Sequence, residues 1–202
     1  MNLINYYWYF KNAVSTQFCD DVIKFCKEKK EETALVDLGT YTKDKEGAMK
    51  KQIRDSNISW VEERWIYEAI FPFVLTANTN AGWNFNITWT EPFQFTKYKP
   101  GQFYNWHCDS DISPTKEGPG KGLIRKLSAS LLLNSSSEFK GGAFEFDFKN
   151  KAYPKTNISV AKELSDKGDL IVFPSFVWHR VQPVTEGTRY SLVMWNQGKP
   201  YV

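Results

Sequence analysis

The stretch Gly142-Ala143-Phe144-Glu145-Phe146-Asp147-Phe148 alternates aromatic and acidic side chains with a period of two. Successive side chains of a β-strand point to opposite faces, so this is the pattern of a strand with one apolar face. The same period recurs on either side. Phe93 to Tyr98 and Leu127-Ser128-Ala129-Ser130-Leu131 alternate upstream; Asp169 to Phe173, Trp178 to Val184 and Arg189 to Trp195 follow downstream. Gly, Pro, Asn and Ser turns separate these runs with no helical stretch between them, which points to an antiparallel sandwich or barrel.

Before residue 83 the pattern is different. Ser15 suits the N-cap of a helix over Gln17 to Lys27, with apolar positions 18, 19, 22, 23, 25 and 26 on one face and acids early and lysines late to match the helix dipole. Leu38 to Arg54 is polar and lysine-rich and reads as a mobile loop. A second helix is expected over Ser59 to Asn78, packing through Trp60, Trp65, Ile66, Ala69, Ile70 and Phe73, with a break or kink at Pro72. The expected architecture is α+β and mainly β. A helical part over about residues 1–80 supports a β core over about 90–197, in one domain across 1–202.

Composition narrows the classes of function. Hydrophobic residues at 42% and charged ones at 24% describe a soluble globular chain, and an aromatic share of 16% suits a β-rich core or a cavity wall. A net charge of +3 on scattered lysines gives no basic stripe for nucleic acid. The opening MNLINYYWYF lacks a basic n-region and a continuous aliphatic run, and no apolar segment reaches the length of a membrane span. Cys19, Cys26 and Cys108 are an odd set without CxxC spacing, so a reducing compartment is expected. The chain reads as soluble and cytoplasmic, with no nucleic-acid or membrane partner.

The chain holds two histidines. One stands in Tyr104-Asn105-Trp106-His107-Cys108-Asp109. On a strand, His107 and Asp109 share a face while Cys108 points away, to pack outward. His179, on a distant strand, offers a third ligand. Two histidines and one carboxylate form the facial triad of non-haem Fe(II), which leaves positions for a chelating cosubstrate and O₂. Zinc binds such a set too, so the ligands alone leave the metal open. Arg189 follows ten residues after His179, and a turn around Thr185-Glu186-Gly187 would set the two on neighbouring strands. A buried guanidinium beside a metal calls for an anion, and a dicarboxylate chelating the metal at its other end supplies one.

These residues sit in blocks that resemble the 2-oxoglutarate- and Fe(II)-dependent dioxygenases of the prolyl 4-hydroxylase, or prolyl/lysyl-hydroxylase-domain, type. An early helix block runs from Val14-Ser15 to Ile23, and "R-x-S…W" stands at Arg54, Ser56 and Trp60. "Y-x-x-G-x-F-Y-x-W-H-x-D" spans Tyr98 to Asp109, "RKLS-x-S-x-x-L" Arg125 to Leu133, and "GG-x-x-x-F" Gly141 to Phe146. "KGDLIVFPS…H-x-V-x-PV-x-x-G-x-RYSLV-x-W" runs from Lys167 to Trp195.

The resemblance implies a double-stranded β-helix (jelly-roll, cupin-like) with His107, Asp109 and His179 as iron ligands. It implies Arg189 as partner of the distal 2-oxoglutarate carboxylate, helped by Ser191, with Tyr98 near the oxo acid. Arg125 is implied near the pocket mouth as a candidate substrate contact, joined by Tyr104 and Trp195. Collagen-type members usually carry lysine where Arg189 stands. Oxygen-sensing members use a tyrosine where Leu132 stands, leaving more to Tyr98 and Ser191.

The implied reaction hydroxylates an unactivated C–H bond, most simply of a prolyl residue in a peptide or protein, and releases succinate and CO₂. Ascorbate is the implied reductant. Related halogenases have a small residue in place of Asp109, so its presence implies hydroxylation. The alternatives are a hydroxylase of a free amino acid or other small molecule, and a non-catalytic metal-binding β-helix module. The segment Ser110 to Lys126, rich in Pro, Gly and charge, suits a lid over the site.

Overall fold

The computed structural model describes residues 4–34, 53–110, 113–148 and 158–201. The predicted loop over Leu38 to Arg54 lies outside them as far as residue 52, and its last residue, Arg54, is in a strand. The chain forms β1 (Trp8–Phe10), α1 (Thr16–Lys27), β2 (Glu32–Thr33), β3 (Arg54–Asp55), β4 (Asn57–Val61) and α2 (Arg64–Asn80). It continues through β5 (Trp89–Thr90), β6 (Phe93–Tyr98), β7 (Phe103–His107), β8 (Ile124–Leu132), β9 (Phe139–Gly141) and β10 (Phe144–Asp147). It ends with β11 (Ile158–Val160), β12 (Leu170–Pro174), β13 (Trp178–Val181), β14 (Val184–Gly187) and β15 (Arg189–Gly198).

Two antiparallel sheets form the core. The larger runs β1-β12-β8-β15-β6-β4-β2, with β5 added to β15, and the smaller runs β11-β10-β13-β7-β3. A short pair, β14-β9, forms a sheet of its own. Side-chain parity shows how the layers meet. On β12, Leu170 and Val172 join the apolar cluster under the helices, while Ile171 and Phe173 join the cluster shared with β10 and β13. On β8, Leu127 and Leu131 face the helices, and Ser130 lines a cavity between the sheets. Strands of the large sheet are therefore covered on both faces. Alternate polar residues look into a cavity and not into water, which is why Gln94, Ser130 and Ser191 are buried.

Ser15 caps α1 by accepting from the Phe18 amide at 3.1 Å, and Cys19, Val22 and Cys26 form its buried face. Its last turn carries Lys24 and Lys27, but its first turn has no acid; Asp20 and Asp21 fall one turn later than the expected dipole match. α2 packs Ile66, Ile70, Val74 and Ala77 on the large sheet, at the spacing of one helical face. Truncating Ile66 or Ile70 to Ala would cost roughly 2–5 kcal/mol.

Three expectations are corrected here. Residues 59–61 belong to β4, paired with β6, so the second helix starts at Arg64. The Ser59-Trp60-Val61 run alternates buried and exposed residues, and pairing to Phe95 and Phe93 overrides any helical tendency. The helix also continues through Pro72 without a break. Finally, the N-terminal part is not purely helical, because β1 and β4 extend the large sheet.

Asp169 of the Lys167-Gly168-Asp169 block has a structural role: it accepts from the backbone amides of Ser165 and Asp166 at 3.1 and 2.7 Å and pairs with Lys11. In the predicted lid, residues Ile124 onward are already strand β8. Mutual bonds between Thr115 and the amide of Gly122 and carbonyl of Leu123 close the preceding loop. No helix among the described residues is long and apolar enough to cross a membrane.

Candidate metal centre and cosubstrate pocket

His107 ends β7 and His179 lies on β13, directly opposite it in the ladder, so both imidazoles leave one face with ring centroids 4.1 Å apart. Asp109 lies beyond the end of β7. Strand alternation does not carry it there; its own amide and that of Ser110 donate to the Ser175 carbonyl at 2.8 and 3.0 Å and fix the turn. Cys108 is half-buried, and its thiol contacts the Ser110 carbonyl at 3.7 Å. Cys108 stays out of the ligand cluster, as expected, although the turn after β7 and not strand parity sets its direction.

The three ligand atoms lie within 4.8 Å of one another. Asp109 stands 3.6 Å from Nε2 of each histidine. His107 Nδ1 lies 2.7 Å from the Asn105 carbonyl, and His179 Nδ1 lies 2.9 Å from that of Val177. A carbonyl only accepts, so each Nδ1 carries the proton and each Nε2 presents a lone pair. Burial, reinforced by the neighbouring His179, pushes His107 down to about 3 and keeps it neutral. Burial opposes ionisation of Asp109, but the His179 and His107 imidazoles, the Arg125 guanidinium and the Ser128 hydroxyl outweigh it and hold the carboxyl down at about 2. Ser128 donates to Asp109 Oδ2 at 2.6 Å and touches the Ser175 hydroxyl at 2.9 Å. A neutral His107 and an oriented carboxylate suit a divalent metal, with His179 completing the donor set.

A cavity of about 30 Å³ lies beside this triad. Its walls come from both sheets and include Tyr98, Tyr104, Ser191 and Trp195. Arg189 is 2% exposed, and its Nη1 is buried with no hydrogen-bond partner among the described residues. Burial pushes its pKa down, opposed by Tyr98, the residue across the ladder from it. An orphaned guanidinium donor buried behind the cavity wall is a position made for an anion, so the oxo acid fits what the residues leave unsatisfied. Gly142 makes room for it. A Cβ at this residue would come within 2.9 Å of Arg189 Cδ, and its φ of +63° favours glycine as well.

Arg189 and His179 are not on neighbouring strands. β13 belongs to the small sheet and β15 to the large one, with β14 diverted to pair with β9 between them. The two side chains belong to opposite walls, which gives a bound molecule an end on each.

Tyr104 stacks on His107 with centroids 3.5 Å apart and planes 10° from parallel. Trp195 lines the cavity with its Nε1 buried and unpartnered. Leu132 is buried opposite Ser191. Arg125 stacks over Trp195 at 4.1 Å and is gripped by Glu91 through two contacts of 2.6 Å. Arg54 and Glu91 are among the residues of this site that escaped the sequence reading as site residues. Arg54 lines the cavity, and its place in the Arg54/Ser56/Trp60 block was the available signal. Glu91 had none, because its partner lies 34 residues away.

A family model described as the 2OG-Fe(II) oxygenase superfamily matches residues 93–197. PKHD-type hydroxylases of Shewanella sp. (strain ANA-3) and Teredinibacter turnerae are each 33% identical over 107 residues, 52% of this chain and 42% of theirs. The matched segment thus spans less than half the length of these relatives. A Pseudomonas putida prolyl-4-hydroxylase superposes with a TM-score of 0.65 at 19% identity, covering 98% of this chain and 95% of that one. The viral collagen prolyl hydroxylase of Paramecium Bursaria Chlorella virus-1, solved with 2OG, gives 0.64 at 20% identity, covering 96% and 97%. A Trichoplax adhaerens prolyl hydroxylase in complex with a hypoxia inducible factor peptide gives 0.66 at 18%, covering 96% and 84%. These likenesses show the jelly-roll fold.

Proposed function

The chain belongs to the 2OG-Fe(II) oxygenase superfamily, and from that premise we propose that it is an Fe(II)- and 2-oxoglutarate-dependent dioxygenase hydroxylating a prolyl residue of a peptide or protein. The observation that carries the proposal is the buried, orphaned Arg189 Nη1, set against Tyr98, a wall of the cavity that holds His107, Asp109 and His179. A plain metal-binding module has no use for a buried, unpaired guanidinium there. The prolyl substrate is supported by the names of the relatives and structural neighbours.

Bound iron, oxo acid and O₂ supply the oxidising chemistry, coupling decarboxylation to succinate and CO₂ with insertion of an oxygen atom into a C–H bond. The chain's own groups bind and orient. His107 and His179 offer Nε2, and Asp109 is steadied by Ser128. Arg189 and the Ser191 hydroxyl receive the distal carboxylate at the opposite wall, with Tyr98 beside them. Phe144 and Phe173 complete an apolar lining that limits water. Ascorbate as reductant and a reducing cytosol belong to the same proposal. The buried thiols of Cys19 and Cys26 are pushed up to about 11 and about 12 by burial, as inert core residues suit.

The test is anaerobic addition of Fe(II) and 2-oxoglutarate. A weak visible metal-to-ligand absorption band is expected, absent in His107→Ala and much weakened in Arg189→Ala. If wild type shows no band and forms no succinate with any prolyl peptide pool, the proposal fails.

A further inference from the structure

A guanidinium that the proposed reaction does not use lines the cavity itself. Arg54, on β3, is 6% exposed. Its Nε donates to the Ser56 hydroxyl at 2.9 Å and its Nη2 to Gln94 Oε1 at 2.5 Å. It also bonds the Tyr98 hydroxyl and lies 4.4 Å over the Tyr104 ring. Every one of these partners is neutral, and among the described residues no carboxylate lies within ion-pair distance of it. A cation taken out of water without a counter-charge is costly, and no described residue supplies one.

The oxo acid does not fill that role. With iron and 2-oxoglutarate in place, the dication and Arg189 balance Asp109 and the two carboxylates of the cosubstrate. Arg54 is the cavity charge left over. At the mouth the situation is reversed: both outer edges of Arg125 are held by Glu91, which also accepts from Gln197 at 2.6 Å. The inner arginine is therefore unneutralised and the outer one is not. Arg54 is also close to the reacting centre, separated from His107 by the thickness of Tyr104, which stacks on both. Trp195, with its unpartnered Nε1, offers the same cavity a second free donor.

We propose that Arg54 is an anion subsite of the substrate pocket, and that the molecule hydroxylated carries a carboxylate within one residue of the carbon that reacts. This rests on the hydroxylase reading and adds a substrate class to it: an acidic prolyl compound, with the carboxylate supplied by the proline itself or by an adjacent acidic residue.

The experiment is calorimetric titration of protein loaded with redox-inert Mn(II) and 2-oxoglutarate. The probes are matched acid and amide pairs: N-acetylproline and N-acetylprolinamide, acetyl-Asp-Pro-amide and acetyl-Asn-Pro-amide, acetyl-Pro-Asp-amide and acetyl-Pro-Asn-amide. In at least one pair the acid is expected to bind about ten-fold more tightly than its amide. Arg54→Gln abolishes that ratio, Arg54→Lys keeps most of it, and both retain wild-type affinity for 2-oxoglutarate. Equal affinities in every pair, no binding by any acid, or a ratio that survives Arg54→Gln overturns the subsite. So does an equal loss of 2-oxoglutarate affinity, which would give Arg54 to the oxo acid. Calorimetry reads binding without turnover, so failure to hydroxylate any peptide would sink the reaction while leaving the acid-to-amide ratio readable.

Discussion

Replacing Arg189 by Met is expected to stabilise the ligand-free protein and to cripple cosubstrate binding. Met keeps much of the aliphatic stem packed near Gly142 and removes a guanidinium whose Nη1 has no partner. An unsatisfied buried donor costs about 1–3 kcal/mol, and apolar replacement of buried charged groups is often stabilising by about 1–4 kcal/mol. After allowance for lost volume, a net gain of about 1–2 kcal/mol corresponds to a rise in Tm of about 2–8 °C for a domain of this size. Binding moves the other way. Removing one partner of a buried, hydrogen-bonded charge pair costs about 2–5 kcal/mol, or from about 30-fold to a few thousand-fold in affinity. The assay is thermal melting of the Mn(II)-loaded protein over a 2-oxoglutarate titration. Ligand at about a hundred times its Kd adds about 2.7 kcal/mol to wild type, so the order of the two melting curves inverts as ligand is added. A variant that melts below wild type without ligand, or that binds 2-oxoglutarate as tightly, refutes the reasoning.

Two further outcomes are expected. Gly142→Ala forces a side chain into left-handed backbone, at about 1–2 kcal/mol, and presses on Arg189; melting should drop by several degrees and KM for 2-oxoglutarate should rise more than kcat falls, as steady-state kinetics will show. In the metal-free protein, His107 stays neutral in the fold down to about 3, whereas its ordinary value is 6.5. The unfolded chain therefore takes up a proton that the folded one refuses, and stability falls as pH drops from about 6.5 towards 3, by at most about 5 kcal/mol. Asp109, held at about 2 against an ordinary 3.8, contributes in full above about 3.8 and loses that contribution progressively as pH falls from there through about 2. Urea midpoints between pH 4 and 7 test this: His107→Asn should flatten the slope, and an unaltered slope contradicts it.

The β-core was legible because its strands advertise a period of two, and the ligands because so few histidines exist to be placed. What the polar half of the alternation meant was not legible. Ser128, Ser130, Gln94 and Thr96 look like solvent-facing residues in sequence, yet they are covered, since the opposite sheet turns that face into a cavity. The parity of His179 and Arg189 was readable, but the sheet each joins depends on β14 pairing with β9, a contact between distant segments. Glu91 illustrates the same limit: nothing near it in the chain announces Arg125. Trp60 read as a helix packing residue, whereas it is 43% exposed on β4 and meets Trp195 at 6.1 Å.

Both ligand histidines are steadied through carbonyls only two residues upstream, His107 by Asn105 and His179 by Val177. Each ring takes its aim from its own main chain, with no distant side chain needed to hold the tautomer. Substitutions along the cavity walls can then reshape what enters without retuning the donors, so the metal centre and the specificity of the pocket are free to change on separate evolutionary clocks.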